Sequence, residues 1–169
     1  MSDYRLVSIK EIQRKSLLKN FDCGIEQLNE FLSRYAIKND ELGIGRTFIA
    51  LNSSNHILGY FTLATAQVAY QEIPDEYKGK LPKYPIPALR IARLAVNKEL
   101  QGNGIGKWLL SQVFIKAVQV SDITGLYLII VDAKETSKSF YEYYGFQRLV
   151  DEDLSYFVVV DTVRKAILG

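Results

Sequence analysis

The chain has 169 residues, of which 48% are hydrophobic, and a net charge of +2, which is typical of one globular domain over residues 1–169. Its apolar runs are shorter than the ~20 residues that span a bilayer, and no signal peptide is visible, so a cytoplasmic protein without a membrane partner is expected. The single cysteine, Cys23, excludes an intramolecular disulfide, and the single histidine, His56, leaves little for a metal site, so no metal is expected.

The first half of the chain predicts three strands and one long helix. "YRLVSI" at 4–9 has the composition of a strand, and 21–40 carries apolar residues at helical spacing. "RTFIAL" at 46–51 and "ILGYFTLATAQVAY" at 57–70 are predicted strands. The polar stretch "NSSNH" between them indicates a hairpin turn.

The second half predicts further strands alternating with helices. All four prolines lie within 72–87, which favours an extended or looped segment over a helix. The predicted strands are 88–96, 126–133 and 156–163. The predicted helices are 106–121 and 137–144, the second ended by Gly145. This order predicts an α/β protein with a mixed sheet of six or seven strands and helices on both faces.

Three glycines alternate where a predicted strand turns into a helix: Gly102, Gly104 and Gly106. Such a turn directs backbone N–H groups and the positive end of a helix dipole at one point, which favours binding of a phosphate or pyrophosphate. Gln101 and Trp108 exclude a Walker A loop, and Lys107 excludes the dinucleotide fingerprint G-x-G-x-x-G. A glycine-rich connection without a ligand is the alternative.

Two motifs carry a family resemblance. "QGNGIG" at 101–106, after "RLAV" and before an apolar helix, resembles the Q/R-x-x-G-x-G/A acyl-CoA loop of GNAT-superfamily N-acetyltransferases. "AKETSKSFYEYYGF" at 133–146 resembles the "A…FY…GF" helix of that family, in the right order along the chain. The resemblance covers the whole chain and implies the GNAT fold, with a mostly antiparallel mixed sheet.

A finer resemblance concerns "FDCGIEQLNEFL" at 21–32 and "PIPALRIARLAV" at 85–96. Both are similar to GNAT toxins that acetylate aminoacyl-tRNA and are encoded beside ribbon-helix-helix antitoxins. The resemblance implies an acetyl-CoA-dependent toxin that acetylates the α-amine of aminoacyl-tRNA and blocks translation, an antitoxin partner and a homodimer. The alternatives are acetylation of a small amine or a protein amine, and an acyl-CoA-binding module without catalysis.

The resemblance also implies roles for residues of the acyl-CoA site. The strand carrying Leu94, Ala95 and Val96 would pair with the pantetheine arm, and a backbone N–H near Val96 would face the thioester oxygen. The loop amides that would hold the pyrophosphate belong to Gln101, Gly102, Asn103, Gly104, Ile105 and Gly106. Glycine is expected there because a Cβ would crowd the phosphate oxygens and because glycine tolerates a positive φ, which such a turn can require. Lys107 either adds charge to this site or is a solvated surface lysine.

Tyr141 is the predicted general acid. In the family, the tyrosine of "FY" protonates the departing thiolate of CoA. Tyr141 lies four residues before Gly145 and beside Phe140, which is expected to face the core. Tyr143 and Tyr144 on the same helix are the alternatives.

The sequence indicates no general base, since the predicted strand 88–96 contains no carboxylate. An α-amine has a reference pKa of about 7.7–8.0, so an appreciable fraction is already neutral at pH 7 and a water chain suffices to accept the proton.

Residues 77–98 hold six basic residues and no acidic one. Positive charge here would attract RNA phosphates, although solvated loop lysines are as good an interpretation. Lys80, Lys83 and Arg93 are the predicted substrate-binding residues. A structural ion pair is the alternative role of Arg93.

Overall fold

A computed structural model describes residues 3–168 of the chain. The strands are β1 (Arg5–Ser8), β2 (Arg46–Leu51), β3 (Ile57–Val68), β4 (Ile86–Val96), β5 (Leu128–Asp132), β6 (Gln147–Arg148) and β7 (Ser155–Val159). The α-helices are α1 (Ser16–Asn20), α2 (Glu26–Glu30), α3 (Ala36–Leu42), α4 (Asp75–Lys78), α5 (Ile105–Ser121), α6 (Lys138–Tyr143) and α7 (Val160–Leu168). Short 3-10 turns cover Ile9–Glu11, Tyr70–Glu72 and Lys98–Leu100.

The seven strands follow the order β1-β2-β3-β4-β5-β7-β6 in the sheet. The pairs β1–β2, β2–β3, β5–β7 and β6–β7 are antiparallel, whereas β4 and β5 are parallel. A parallel pair requires a long crossover, and α5 lies in the connection between β4 and β5. The predicted mixed, mostly antiparallel sheet with helices is confirmed.

The described residues divide into two compact units. Unit 1 comprises 3–64 and 92–112, and its core packs apolar side chains of the N-terminal helices against β2, β3 and the end of β4. Unit 2 comprises 65–91 and 113–168, and its core joins residues of β4, β5 and β7 to the segment around Ile73. That residues 1–169 form a single domain stays a prediction.

The helix predicted at 21–40 begins at Glu26 rather than at 21, extends to Leu42 and is a run of three helical segments. α2 continues into a π-helical turn, Phe31–Tyr35, and then into α3. The π turn buries Phe31 and Leu32, which are 4% and 0% exposed, in the core of unit 1. The run ends at Gly43, whose φ of +77° is the left-handed conformation that favours glycine at a helix C-terminus.

Two predictions from the second half are wrong in part. The proline-containing segment 72–87 is not wholly looped, because α4 forms one helical turn directly after Pro74, with Asp75 and Glu76 in its first turn. The two carboxylates favour a helix start, since negative charge in the first turn complements the helix dipole. The last strand ends at Val159 rather than at 163, because α7 begins at Val160.

Candidate functional site

The glycine-rich loop joins the 3-10 turn after β4 to α5 within unit 1. Gly102 and Gly104 have φ of +83° and +84°, as predicted, and a Cβ at either position would have no atom within 4 Å. The prediction is wrong for Gly106, which has no positive φ because it already lies in α5. The first hydrogen bond of α5 runs from the Trp108 N–H to the Gly104 carbonyl. The amides of residues 105–107 precede that bond and lack an intrahelical acceptor. The loop therefore combines open space with N–H donors at the positive end of a 17-residue helix.

The end of β4 extends beyond its ladder with β5. The parallel register covers Ala88–Ile91, and residues 92–96 continue past it, carrying Leu94, Ala95 and Val96. Gly59 on β3 lies against this end, because a Cβ there would be 2.5 Å from the Ala95 carbonyl oxygen. Only glycine permits this approach.

The side chain of Gln101 is engaged within the protein. Its Nε2 donates to the Cys23 carbonyl at 3.0 Å and to the Val96 carbonyl at 3.1 Å. Asn103 donates from Nδ2 to the Leu100 carbonyl at 3.0 Å. These side chains shape the loop. The Asn103 N–H also donates to the Leu100 carbonyl, at 3.3 Å, so the other backbone amides of the loop are its groups for an anion. Sequence reasoning missed the contact with Cys23, because the two residues are 78 positions apart.

Arg93, also in unit 1, is a half-buried cation on an aromatic ring. Its guanidinium carbon lies 3.5 Å from the centre of the Phe31 ring. Burial lowers the pKa of Arg93, and the neighbouring Tyr60 opposes that shift; the group stays charged at neutral pH. Within residues 3–168 no carboxylate forms an ion pair with Arg93. The ion-pair alternative for Arg93 is therefore wrong for the described part of the chain.

Tyr141 lies on α6 in unit 2 and is 4% exposed. Its ring packs against Phe146 and Phe140, with ring centres 5.3 and 5.1 Å away, and burial raises the pKa of its phenol. The Tyr141 hydroxyl forms no hydrogen bond with residues 3–168. Every fully buried side-chain oxygen or nitrogen of those residues has a hydrogen-bond partner, so this hydroxyl oxygen is not among the fully buried atoms. The hydroxyl oxygen is therefore not completely enclosed by protein, although the ring is buried.

The expected orientation of α6 is wrong in one respect. Phe140 is half-buried, and Tyr141 is the buried residue of the pair. The reason is the turn at Gly145, which brings Phe146 back onto Tyr141, with the Phe146 N–H donating to the Tyr141 carbonyl. Tyr143, one of the alternative acids, is 80% exposed.

Half of the six basic residues in 77–98 are paired with carboxylates from outside that window. The ion pairs are Lys78–Asp75 at 3.3 Å, Arg90–Asp132 at 2.7 Å and Lys98–Asp22 at 2.9 Å. Lys80 and Lys83 are exposed and form no ion pair within residues 3–168. The positive charge left for a ligand is thus that of Lys80 and Lys83 in unit 2 and Arg93 in unit 1.

Neither a metal cluster nor a membrane span emerges from the part of the chain that the structure describes. No three His, Cys, Asp or Glu side chains of residues 3–168 could hold a metal ion. Over the same residues, no helix has the length and apolarity to cross a bilayer.

Comparison with known proteins identifies the domain. Residues 43–148 match the acetyltransferase (GNAT) domain. A protein of Mycobacterium tuberculosis (strain ATCC 25618 / H37Rv), named tRNA-acetylating toxin, is 28% identical over 151 residues, which are 89% of each chain.

Two solved structures are similar over almost their full lengths. AtaT complexed with acetyl-methionyl-tRNAfMet has a TM-score of 0.90 and 26% identity, covering 98% of this chain and 99% of that one. AtaTR bound with AcCoA has a TM-score of 0.84 and 27% identity, covering 99% of both.

Proposed function

The chain belongs to the GNAT acetyltransferase family, and from this premise we propose that it transfers the acetyl group of acetyl-CoA to the α-amine of an aminoacyl-tRNA. The observation that carries the acceptor is the similarity over 89% of the chain to a tRNA-acetylating toxin. The similarity to AtaT in complex with an acetylated aminoacyl-tRNA supports the same acceptor. Acetylation removes the amine as a nucleophile for peptide bond formation, so translation would stop.

Acetyl-CoA binds, in this proposal, along the end of β4 and at the glycine-rich loop. The pantetheine arm pairs with the backbone of Leu94, Ala95 and Val96, in the part of β4 beyond the β5 ladder. The pyrophosphate accepts hydrogen bonds from amides of 101–106, and the positive φ of Gly102 and Gly104 supports this role. Lys107 adds charge at the start of α5. The similarity to AtaTR bound with AcCoA supports the ligand.

The chemical step is attack of the amine nitrogen on the thioester carbonyl carbon. The C–N bond forms, the C–S bond breaks, and the CoA thiolate takes a proton from the hydroxyl of Tyr141. The proton that the acylated nitrogen releases passes to water, and the Tyr141 phenolate takes a proton back from water, so the enzyme is regenerated. A raised pKa keeps this phenol protonated, and its oxygen, which protein does not completely enclose, supports a role as donor. The ammonium form of the acceptor loses its proton to water beforehand, since β4 carries no carboxylate.

The acceptor RNA is held through its phosphates. Arg93 is a half-buried cation without a carboxylate partner among residues 3–168, and such a group is stabilised by an anionic ligand. Its fixed planar guanidinium suits bidentate recognition of a phosphate. Lys80 and Lys83 add exposed surface charge.

The partners are proposed on the same basis. The resemblance to GNAT toxins favours a ribbon-helix-helix antitoxin that neutralises the enzyme, a homodimer and a cytoplasmic site of action. Co-expression with the adjacent reading frame should relieve growth arrest, and sedimentation should give twice the mass of the chain. Growth arrest that no adjacent gene relieves would count against the antitoxin.

The test supplies labelled acetyl-CoA with charged tRNA, uncharged tRNA, polyamines and peptides in parallel. We expect label on charged tRNA alone, released when the ester is hydrolysed to N-acetyl amino acid. A Tyr141→Phe enzyme is the matched control for non-enzymatic acetylation. Label on polyamines or peptides but never on charged tRNA would overturn the proposal in favour of a small-amine or protein acetyltransferase. Binding of acetyl-CoA without transfer to any acceptor would indicate a non-catalytic module.

A further inference from the structure

Polar contacts within unit 1 tie the segment before α2 to the segment after β4. The Lys98 ammonium lies 2.9 Å from Oδ2 of Asp22, and the Lys98 N–H donates to the Asp22 carbonyl, also at 2.9 Å. The neighbouring carbonyl of Cys23 accepts from Nε2 of Gln101 at 3.0 Å. Two consecutive residues thus hold the 3-10 turn and the first residue of the glycine-rich loop.

The Asp22 side of these contacts is itself fixed. Oδ1 of Asp22 accepts from the Gly24 N–H at 2.8 Å and from Nδ2 of Asn29 at 2.9 Å. Oδ1 of Asn29 in turn accepts from the Cys23 N–H at 2.8 Å. The Lys98 ammonium, the Gly24 N–H and the Asn29 amide lower the pKa of Asp22 to about 2. Asp22 is therefore a carboxylate at every pH at which the enzyme would work.

The loop that follows depends on external supports. Gly102 and Gly104 have no side chain to pack, and their backbones lose more conformational freedom on ordering than other residues do. Gln101 links the loop to Val96 at the end of β4 and to Cys23. The position of Gln101 therefore sets where the backbone of the glycine-rich loop begins.

We propose that Asp22 is a positioning residue for acetyl-CoA, holding the glycine-rich loop through Lys98, Cys23 and Gln101 in the conformation that binds the pyrophosphate. The inference rests on the proposed function for the presence of acetyl-CoA at this loop. Asp22 does not touch the ligand. It raises the fraction of molecules with a competent loop, and the apparent Kd varies inversely with that fraction.

The test compares Asp22→Asn with the wild-type enzyme. The amide keeps an oxygen for Gly24 but loses the charge that holds Lys98. If the competent fraction falls to about a tenth, the Kd and KM for acetyl-CoA rise about tenfold, while kcat at saturation is unchanged. Calorimetry gives the Kd without any acceptor, and charged tRNA gives KM and kcat. Asp161→Asn, which removes an exposed ion pair with Lys165, is the matched control and should change nothing.

A second acyl donor separates positioning from a general structural role. Acetyl-pantetheine lacks the pyrophosphate, so Asp22→Asn should leave kcat/KM for this donor unchanged. Should Asp22→Asn fail to fold, Lys98→Gln removes the same ion pair from its other end and should give the same results.

Equal losses with both donors, a lower kcat or an unchanged Kd would overturn the inference while the wild type still binds acetyl-CoA. A wild type that binds no acetyl-CoA would overturn the proposed function as well.

Discussion

The guanidinium carbon of Arg93 lies over the Phe31 ring, 3.5 Å from the ring centre, and this contact holds a positive charge in unit 1. Phe31 is 4% exposed and belongs to the π-helical turn that interrupts the helical run after α2. Such turns occur often at functional sites. The N–H groups of Arg93 have no carboxylate to bind among residues 3–168.

We expect Arg93→Gln to weaken the binding of charged tRNA. The slope of log K against log salt should become shallower by about one, as for the loss of one phosphate contact. Arg93→Lys should restore less than the full affinity, because lysine keeps the charge but not the planar, stacked donor set. Fluorescence anisotropy with labelled charged tRNA at several salt concentrations measures both quantities.

Arg148→Gln is the matched control for Arg93→Gln. Arg148 is an exposed arginine that pairs with Asp153 at 3.7 Å, and surface pairs of this kind contribute little to stability. Its substitution should leave the affinity and the salt slope at their wild-type values. An Arg93→Gln protein that keeps the wild-type slope would remove Arg93 from the RNA site.

Gly104→Val should weaken acetyl-CoA binding by far more than a surface change. Its φ of +84° disfavours any side chain, and a branched one would fill the open space beside the loop amides. Gly43→Val is the matched control, because Gly43 has φ of +77° at the end of α3. Both should lose about 1–3 kcal/mol of unfolding free energy, but only Gly104→Val should raise the Kd in calorimetry. An unaltered Kd in folded Gly104→Val would contradict the loop assignment.

Gly59→Ala tests the close approach of β3 to the end of β4. The added Cβ would lie 2.5 Å from the Ala95 carbonyl oxygen and 2.9 Å from Cδ1 of Leu109, so β4 or α5 must shift. Overpacking of this kind costs about 1–3 kcal/mol, which a urea titration measures. The KM for acetyl-CoA should also rise, since the shifted backbone is the one proposed to pair with pantetheine.

Gly79→Ala is the control for Gly59→Ala. Gly79 has φ of −58°, and a Cβ there would meet nothing within 4 Å. Its substitution should be neutral or stabilising by about 0.4–1 kcal/mol. A Gly59→Ala enzyme as stable as Gly79→Ala would show that the strands relax freely.

The loop was predictable from the sequence because its requirements are local. Alternating glycines between a strand and a helix favour positive φ, which Gly102 and Gly104 have, whereas Gly106 already lies in α5. Apolar periodicity was enough to predict α5, which buries one face (Ile105, Leu109, Leu110, Val113 and Ala117), and β5, whose residues are mostly buried. The start of α7 was missed because Val160 continues an apolar strand pattern, and the helical spacing becomes visible only with Val163.

The charge environment was not predictable, because it depends on pairs between distant segments. The basic window 77–98 contains no acidic residue. Even so, Lys98 forms an ion pair with Asp22 and Arg90 forms one with Asp132, and both carboxylates belong to other segments of the chain. The orientation of Tyr141 likewise depends on the turn at Gly145, which a helical pattern alone does not describe. Non-local contacts therefore decided which of the predicted cations remain for a ligand.

Tyr141→Phe should lower kcat by about 10²- to 10⁴-fold, the usual contribution of a general acid, with the Kd for acetyl-CoA and the unfolding free energy near their wild-type values. Only a hydroxyl without a hydrogen-bond partner in residues 3–168 is lost. Tyr143→Phe, at an 80% exposed position of the same helix, is the matched control and should keep full turnover.

Burial raises the pKa of Tyr141 above the ordinary value of about 10, and a proton donor is active below its pKa. Initial rates with charged tRNA should therefore rise with pH as the acceptor amine loses its proton, and should show no fall up to pH ~9 from ionisation of Tyr141. Full turnover in Tyr141→Phe, with Tyr143→Phe impaired instead, would assign the acid to Tyr143.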